Sequence, residues 1–208
     1  MNSLLLDPQE IERRSFAIID AEAGAHAFDA RQWPIVRRII HTTGDFEFTT
    51  TTCFSPGAVA AGVAALRRGE KVLCDTNMVL AGVNKARLAA FGSAIACHVA
   101  DPEIARMARE QGVTRSLLAM RKGVAEGCGI FLVGNAPTAL FELLELARCG
   151  TVRPSLVVGV PVGFVGAAES KEALLASGLP FMTCRGRKGG SAIAAAILNA
   201  LLLLAEEG

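Results

Sequence analysis

Residues 129–150 read "GIFLVGNAPTALFELLELARCG", and the order of residue types within them decides the fold class. Ile130 to Val133 are continuously apolar rather than alternating, the pattern of a strand covered on both faces. Gly134 and Asn135 interrupt the run. Pro137 is tolerated only in the first turn of a helix, and the apolar positions that follow recur at helical spacing until Gly150. A buried strand, a tight turn and a helix in so short a span make one βα unit.

Four further runs have the same form: "KVLCD" (71–75), "SAIACHV" (93–99), "SLVVGV" (155–160) and "PFMTC" (180–184). Helical patterning separates or follows them in "DPEIARMAREQG", "TRSLLAMRKGVAEG", "AAESKEALLASG" and "SAIAAAILNALLLLAEE". Five such runs alternating with helices predict an α/β protein: a three-layer α/β/α architecture around a five-stranded, mainly parallel sheet, flavodoxin-like and doubly wound. Ahead of it lies an N-terminal helical segment. Asp7, Pro8 and Glu10 read as a helix start with a capping-box acid, for a helix reaching about Ala23. A second helix is expected from about Asp29 to Thr42, ended by Gly44. Ser55 is the expected cap of "SPGAVAAGVAALRRG", which Gly69 stops. "FEFTTTTCF" (46–54) is ambiguous, its β-branched threonines favouring an extended segment. Neither a repeat nor a Pro/Ser-rich linker is visible, so residues 1–208 are expected to form a single domain.

Of the 208 residues 51% are apolar, and the net charge is +1 with no long basic block. The first value supports a sizeable core; the second argues against nucleic acid as a partner. The N-terminus lacks the basic and apolar regions of a signal peptide. The run "AAAILNALLLLA" (194–205) is too short to span a bilayer and contains Asn199, so no membrane partner is expected and the location is read as cytoplasmic. Six scattered cysteines, Cys53, Cys74, Cys97, Cys128, Cys149 and Cys184, form no CxxC pair. They read as small buried residues in a reducing compartment, with no metal site.

Ligands of open parallel sheets bind at the carboxyl ends of the strands. Past those ends lie Asn77 and Met78, then Asn135 and Thr138, then "PVGFVGAAES" with Gly163 and Phe164, and finally "RGRKGGS" with Arg185, Arg187, Lys188, Gly189, Gly190 and Ser191. Three cations and two glycines before a helix start suit an anionic ligand. GxxxxGK[ST] and GxGxxG are both absent, so the ligand does not read as a nucleotide. The chain has three histidines and no tyrosine. His26 and His98 read as a loop residue and a strand-end residue. His41, in "RRIIHTTGDFEF" (37–48), falls at a helix C-terminus, where the dipole favours a charged imidazole, and is the candidate general acid. Ser15 and Thr42 are candidate hydrogen-bonding neighbours.

Taken together, "ERRSFAIID", "HTTGDFEF", "LCDTNMV", "GNAPTALFELLE", "PVGFVGAAESK" and "RGRKGGSAIAAA" resemble the precorrin-8X methylmutases, also called cobalt-precorrin-8 methylmutases or precorrin isomerases. The likeness runs from about Asp7 to Asn199. It implies a homodimeric isomerase of vitamin B12 biosynthesis that moves a methyl group from C11 to C12 of the macrocycle, giving hydrogenobyrinate or cobyrinate. Its substrate would be precorrin-8X or cobalt-precorrin-8. Through the match H-x-x-G-D/S-x-E it also implies a catalytic role for His41. No resident cofactor is expected; cobalt would enter only inside the substrate. A non-catalytic tetrapyrrole carrier is the alternative expectation, and a phosphate-handling α/β enzyme a more distant one.

Overall fold

A computed structural model describes residues 7–207. The chain runs α1 (Pro8–Ala23), α2 (Trp33–Thr43), α3 (Phe48–Thr51), β1 (Thr52–Phe54), α4 (Ala58–Arg67), β2 (Val72–Cys74), α5 (Asn77–Gly82), α6 (Lys85–Ala90), β3 (Ile95–Ala96), α7 (Pro102–Gln111), α8 (Arg115–Ala125), β4 (Ile130–Val133), α9 (Pro137–Arg148), β5 (Leu156–Gly159), α10 (Ala167–Leu175), β6 (Phe181–Cys184) and α11 (Ser191–Glu206). The sheet order is β1-β6-β5-β4-β2-β3. Strands β2 to β6 pair in parallel, in the flavodoxin-like order once β1 is set aside.

The sheet has six strands, one more than the sequence predicts. The additional β1 pairs antiparallel with β6, Cys53 opposite Thr183. It comes from the ambiguous threonine run, which the structure divides in two. The Thr49 hydroxyl donates to the Phe46 carbonyl at 2.7 Å and that of Thr50 to the Glu47 carbonyl at 2.9 Å, closing a single helical turn. Only Thr52–Phe54 is extended. Hydroxyls that bond their own backbone compete with strand formation, so β-branching alone misjudged half the segment.

Two predicted caps also differ. Asp7 occupies the N-cap position of α1 without a side-chain cap, and Glu10 binds Arg13 and Arg14 instead of reaching back. Gly57, not Ser55, precedes α4. The Ser55 hydroxyl accepts from the Phe181 N–H at 2.8 Å, tying the end of β1 to the start of β6.

Continuous apolarity in the strands is used on both faces. One layer holds α2, α4, α5 and α11, with Ile35, Ile39, Val63, Leu66, Ile197 and Leu201 all buried. The other is built on Phe131, Val133, Leu140, Leu143 and Leu174, with α7 and α8 packing around Ile104 and Leu118. Small residues allow close approach. A Cβ on Gly82 of α5 would lie 2.9 Å from the Ala195 Cβ of α11, and one on Gly62 of α4 would lie 2.8 Å from the Leu156 side chain. Among the described residues no helix is long and apolar enough to cross a membrane.

Gly134, at the end of β4, meets the backbone that starts α11: a Cβ there would stand 2.7 Å from the Ser191 Cα. Backbone cannot rotate aside as a side chain can. Gly134→Ala is therefore expected to lower stability by about 1–3 kcal/mol, read as a lower urea midpoint at unchanged slope. A wild-type midpoint would contradict this packing.

Candidate functional site

The crevice between β2 and β4 is the point where the chain leaves the sheet for opposite faces, and in this fold an anion commonly occupies it. Here the protein fills it with its own carboxylate. Asp75 Oδ1 accepts from the Gly134 N–H at 3.0 Å, and Oδ2 accepts from the N–H groups of Asn135 at 2.7 Å and Ala136 at 2.8 Å. Asp75 is buried. Burial pushes its carboxyl above the usual range, and the three N–H groups pull against that shift. Asn135 thus serves the turn through its backbone. The Thr138 hydroxyl is hydrogen-bonded to that of Thr114 at 2.9 Å, on the α8 side of the sheet.

Thr76 follows Asp75 and caps α5 by accepting from the Val79 N–H at 3.2 Å. Its hydroxyl also lies 2.9 Å from that of Ser191, the first residue of α11. Asn77 and Met78 start α5. The glycines of "RGRKGGS" are needed for a close crossing: Gly189 has φ +157°, and a Cβ there would stand 2.2 Å from the Val160 carbonyl oxygen. Gly190 donates to that carbonyl at 2.8 Å, and Gly163 donates to the Arg187 carbonyl at 3.1 Å.

The three cations of this loop do not act alike. Arg185 binds both carboxylate oxygens of Glu172 at 3.0 Å, and the negative charge of Glu172 raises its guanidinium further. Lys188 reaches Asp45 at 2.5 Å and Glu47 at 2.7 Å. Its ammonium is held above the usual range by those partners, and Asp45 is held below its own by Lys188. Arg187 instead lies 5.4 Å over the ring of Phe164. Below the loop, buried Lys171 donates to the Lys188 carbonyl at 2.6 Å, and burial pushes its ammonium down.

His41 is exposed in the last turn of α2. It lines a cleft of about 570 Å3 together with Thr42, Met78, Arg38, Glu12, Asn84 and Arg87, over a floor of Ala192, Ala195, Ala196 and Asn199 from α11. That volume is in the range of ligand clefts. Phe16 of α1 stands edge-on to the imidazole, with ring centroids 5.2 Å apart. Among the described residues the imidazole makes no hydrogen bond, so neither ring nitrogen is committed to a protein partner. Of the sequence-predicted residues, His41, Thr42 and Met78 meet in this cleft. Arg185, Arg187, Lys188 and Phe164 sit along the strand ends outside it. The Ser15 hydroxyl donates back to the Ile11 carbonyl at 2.8 Å.

Sequence reasoning passed over Glu12, Arg38, Asn84, Arg87 and Asn199. Arg38 was within reach of it, since residues three apart share a helix face and Arg38 precedes His41 by three. Arg87 and Asn199 are brought in by tertiary packing alone. The remaining histidines are engaged elsewhere: His26 stacks on Trp33 at 3.9 Å, and the His98 ring lies between Asp101 and Glu126, 3.0 Å from each. Among the described residues no group of three or more His, Cys, Asp or Glu side chains is arranged to hold a metal ion. Of the six cysteines, all free, Cys149 is exposed rather than buried and Cys53 and Cys97 are half-buried.

The sequence family described as precorrin-8X methylmutase matches residues 10–204. The chain is 46% identical over 206 residues to the cobalt-precorrin-8 methylmutase of Priestia megaterium, spanning 99% of this chain and 92% of that protein. It is also 46% identical over 205 residues to the precorrin-8X methylmutase of Pseudomonas aeruginosa, spanning 97% and 98%. A crystal structure of precorrin-8x methyl mutase from Thermus thermophilus superposes with a TM-score of 0.89 at 44% identity, covering 96% of this chain and 97% of that one.

The Asp75 contact can be tested apart from any ligand. Asp75→Asn keeps the shape but turns an NH2 toward one backbone N–H, leaving a buried donor without an acceptor. A loss of about 1–3 kcal/mol in unfolding free energy is expected, with faster hydrogen exchange at residues 134–136. Wild-type stability and exchange would show that the carboxylate does not hold the turn.

Proposed function

Because the chain belongs to the precorrin-8X methylmutase family, we propose that the cleft beside His41 is where a methyl group moves from C11 to C12 of precorrin-8X or cobalt-precorrin-8, yielding hydrogenobyrinate or cobyrinate. The protein is an intramolecular methyl-transferring isomerase of corrin-ring biosynthesis; its relatives carry an enzyme's name rather than a carrier's. The observation that carries the site assignment is the imidazole itself. His41 faces the cleft with both nitrogens uncommitted.

In this mechanism His41 gives a proton to a ring nitrogen or carbon of the conjugated system. The cation so formed leaves C12 electron-poor, so the methyl group can move to it from C11 with its bonding pair, and the positive charge left at C11 is spread over the conjugated system. Once the methyl group is on C12 the proton returns to His41. The methyl group comes from the substrate and no electrons are gained or lost overall, so the step draws on no resident cofactor. The rest of the cleft contributes orientation. The flat alanine floor of α11 and the Met78 side chain face the macrocycle, and the cations at the rim face its carboxylate arms.

The protein acts as a homodimer in the cytoplasm. Support for the dimer comes from apolar side chains that a second copy would cover: Phe164 and Val165 are 84% and 90% exposed, and Ile11 and Ile18 of α1 are exposed as well. Six unbridged thiols fit a reducing compartment.

His41→Ala is expected to bind the precorrin-8 pigment and leave its visible spectrum unchanged, whereas wild type converts it. The loss should be at least about 10²–10⁴-fold in kcat, and full turnover by the variant would remove His41 from the chemistry. Light scattering on the purified chain is expected to return twice its 21.7 kDa mass. A monomer that turns over at the wild-type rate would overturn the dimer.

A further inference from the structure

Two arginines line the His41 cleft without having been expected there, and each is held by a carboxylate of the protein. Arg38 Nη1 donates to Glu12 Oε1 at 2.5 Å, and Arg87 is paired with Glu206. The two pairs differ from the other polar contacts around the cleft. Asn199 is spent on structure, accepting from the Asn84 N–H at 2.8 Å and donating to the Gly82 carbonyl at 2.9 Å. Asn84 accepts from the Arg87 N–H at 3.1 Å to start α6. Replacing any of these would expose backbone groups. Replacing Glu12 or Glu206 with another carboxylate would expose nothing.

Arg38 is the better placed of the two. Its guanidinium lies 4.8 Å over the Phe16 ring, the same ring that stands edge-on to His41. Its side chain is largely covered while that of Glu12 is about half exposed, 19% against 45%. The cation is thus fixed and its partner is loose. Glu12 rides on α1, which contributes a single buried residue, Ile19. The pair is also a partition: Glu12, Arg38 and Leu203 line both the cleft and an adjoining cavity of about 240 Å3.

On the functional reading above, we infer that Arg38 and Arg87 are anchors for two carboxylate arms of the macrocycle, and that Glu12 and Glu206 are place-holders which those arms displace. The exchange is carboxylate for carboxylate, so neither guanidinium is left unpaired at any stage. The carboxylate end of each pair is open to solvent, so exchanging it for another carboxylate costs little. A multi-armed acid can take both places at once, whereas a monocarboxylate gains little over the glutamate already there. The cleft therefore selects ligands that present two carboxylates at the spacing of the two arginines.

The test is a visible-spectrum titration of hydrogenobyrinate and of its fully esterified form against four proteins: wild type, Arg38→Met, Arg87→Met and Glu12→Gln. Methionine keeps the apolar stem that packs on Phe16. Each arginine variant is expected to weaken binding of the free acid on the order of tenfold to a hundredfold, and to leave binding of the ester unchanged. Glu12→Gln is expected to bind the free acid as tightly as wild type or more tightly. Wild-type affinity for the free acid in both arginine variants overturns the anchors. Equal weakening in Glu12→Gln overturns the place-holder role. Arg87 lies on a different, largely exposed helix and does not stack on Phe16, so its variant tests the anchors even if Arg38→Met unfolds. A wild-type protein that leaves precorrin-8 unconverted sinks the functional reading itself, which is a separate outcome from any of these.

Discussion

Everything at the ligand edge of the sheet depends on one buried carboxylate. By accepting three backbone N–H groups, Asp75 closes the crevice between β2 and β4. In a sheet of this order that crevice is the ready-made place for a phosphate. Occupied from within, it becomes a clamp. The turn after β4 is held against the turn after β2, so Thr76 meets Ser191 and Gly134 meets the start of α11. Helix α11 is thereby fixed at its first residue. Its alanine face becomes the floor of a cleft displaced sideways from the usual site, toward α1 and α2. The position of the cleft follows from where the protein has placed its own anion.

The charges around this edge obey the same logic. Lys188 joins the loop before α11 to Asp45 and Glu47, just past the end of α2, and so ties the anion-type loop to the helix that carries His41. The two ends of that tether have shifts of opposite sign. Asp45 is depressed, so its contribution is present above the ordinary carboxylate range and is lost only as the pH falls through its lowered value. Lys188 is raised, so its contribution persists until the pH climbs beyond the usual lysine range. The tether therefore holds throughout the neutral region. Lys171 supports the same loop from below through the Lys188 carbonyl. A loop gripped from both sides keeps its shape without a ligand, and its cations are not left to repel one another.

The parallel strands were legible because burial on both faces leaves a continuous apolar run, and the doubly wound order follows from alternation with helices. β1 was not legible. It has three residues at a sheet edge, and the preceding threonines fold their hydroxyls back on their own chain. Ser55 carries the composition of a cap but bonds a strand far away in sequence, a choice that only tertiary structure reveals. The same holds for the cations of "RGRKGGS". Their spacing shows that three positive charges gather before a helix, while Glu172, Asp45 and Glu47 lie far off in sequence and cannot be paired with them from the pattern. His41 stood out through rarity and through its place at a helix end. Arg38 belonged to the same quoted stretch and the same helix face, but its meaning depends on Glu12 and Phe16 from another helix.

A methyl shift within one molecule asks little of side-chain chemistry and much of orientation. The cleft has one titratable imidazole, an apolar floor and cations at its rim, a division of labour that suits a flat pigment with acidic arms. In the proposed mechanism the rim reads the arms, the floor carries the plane, and the imidazole addresses the conjugated edge.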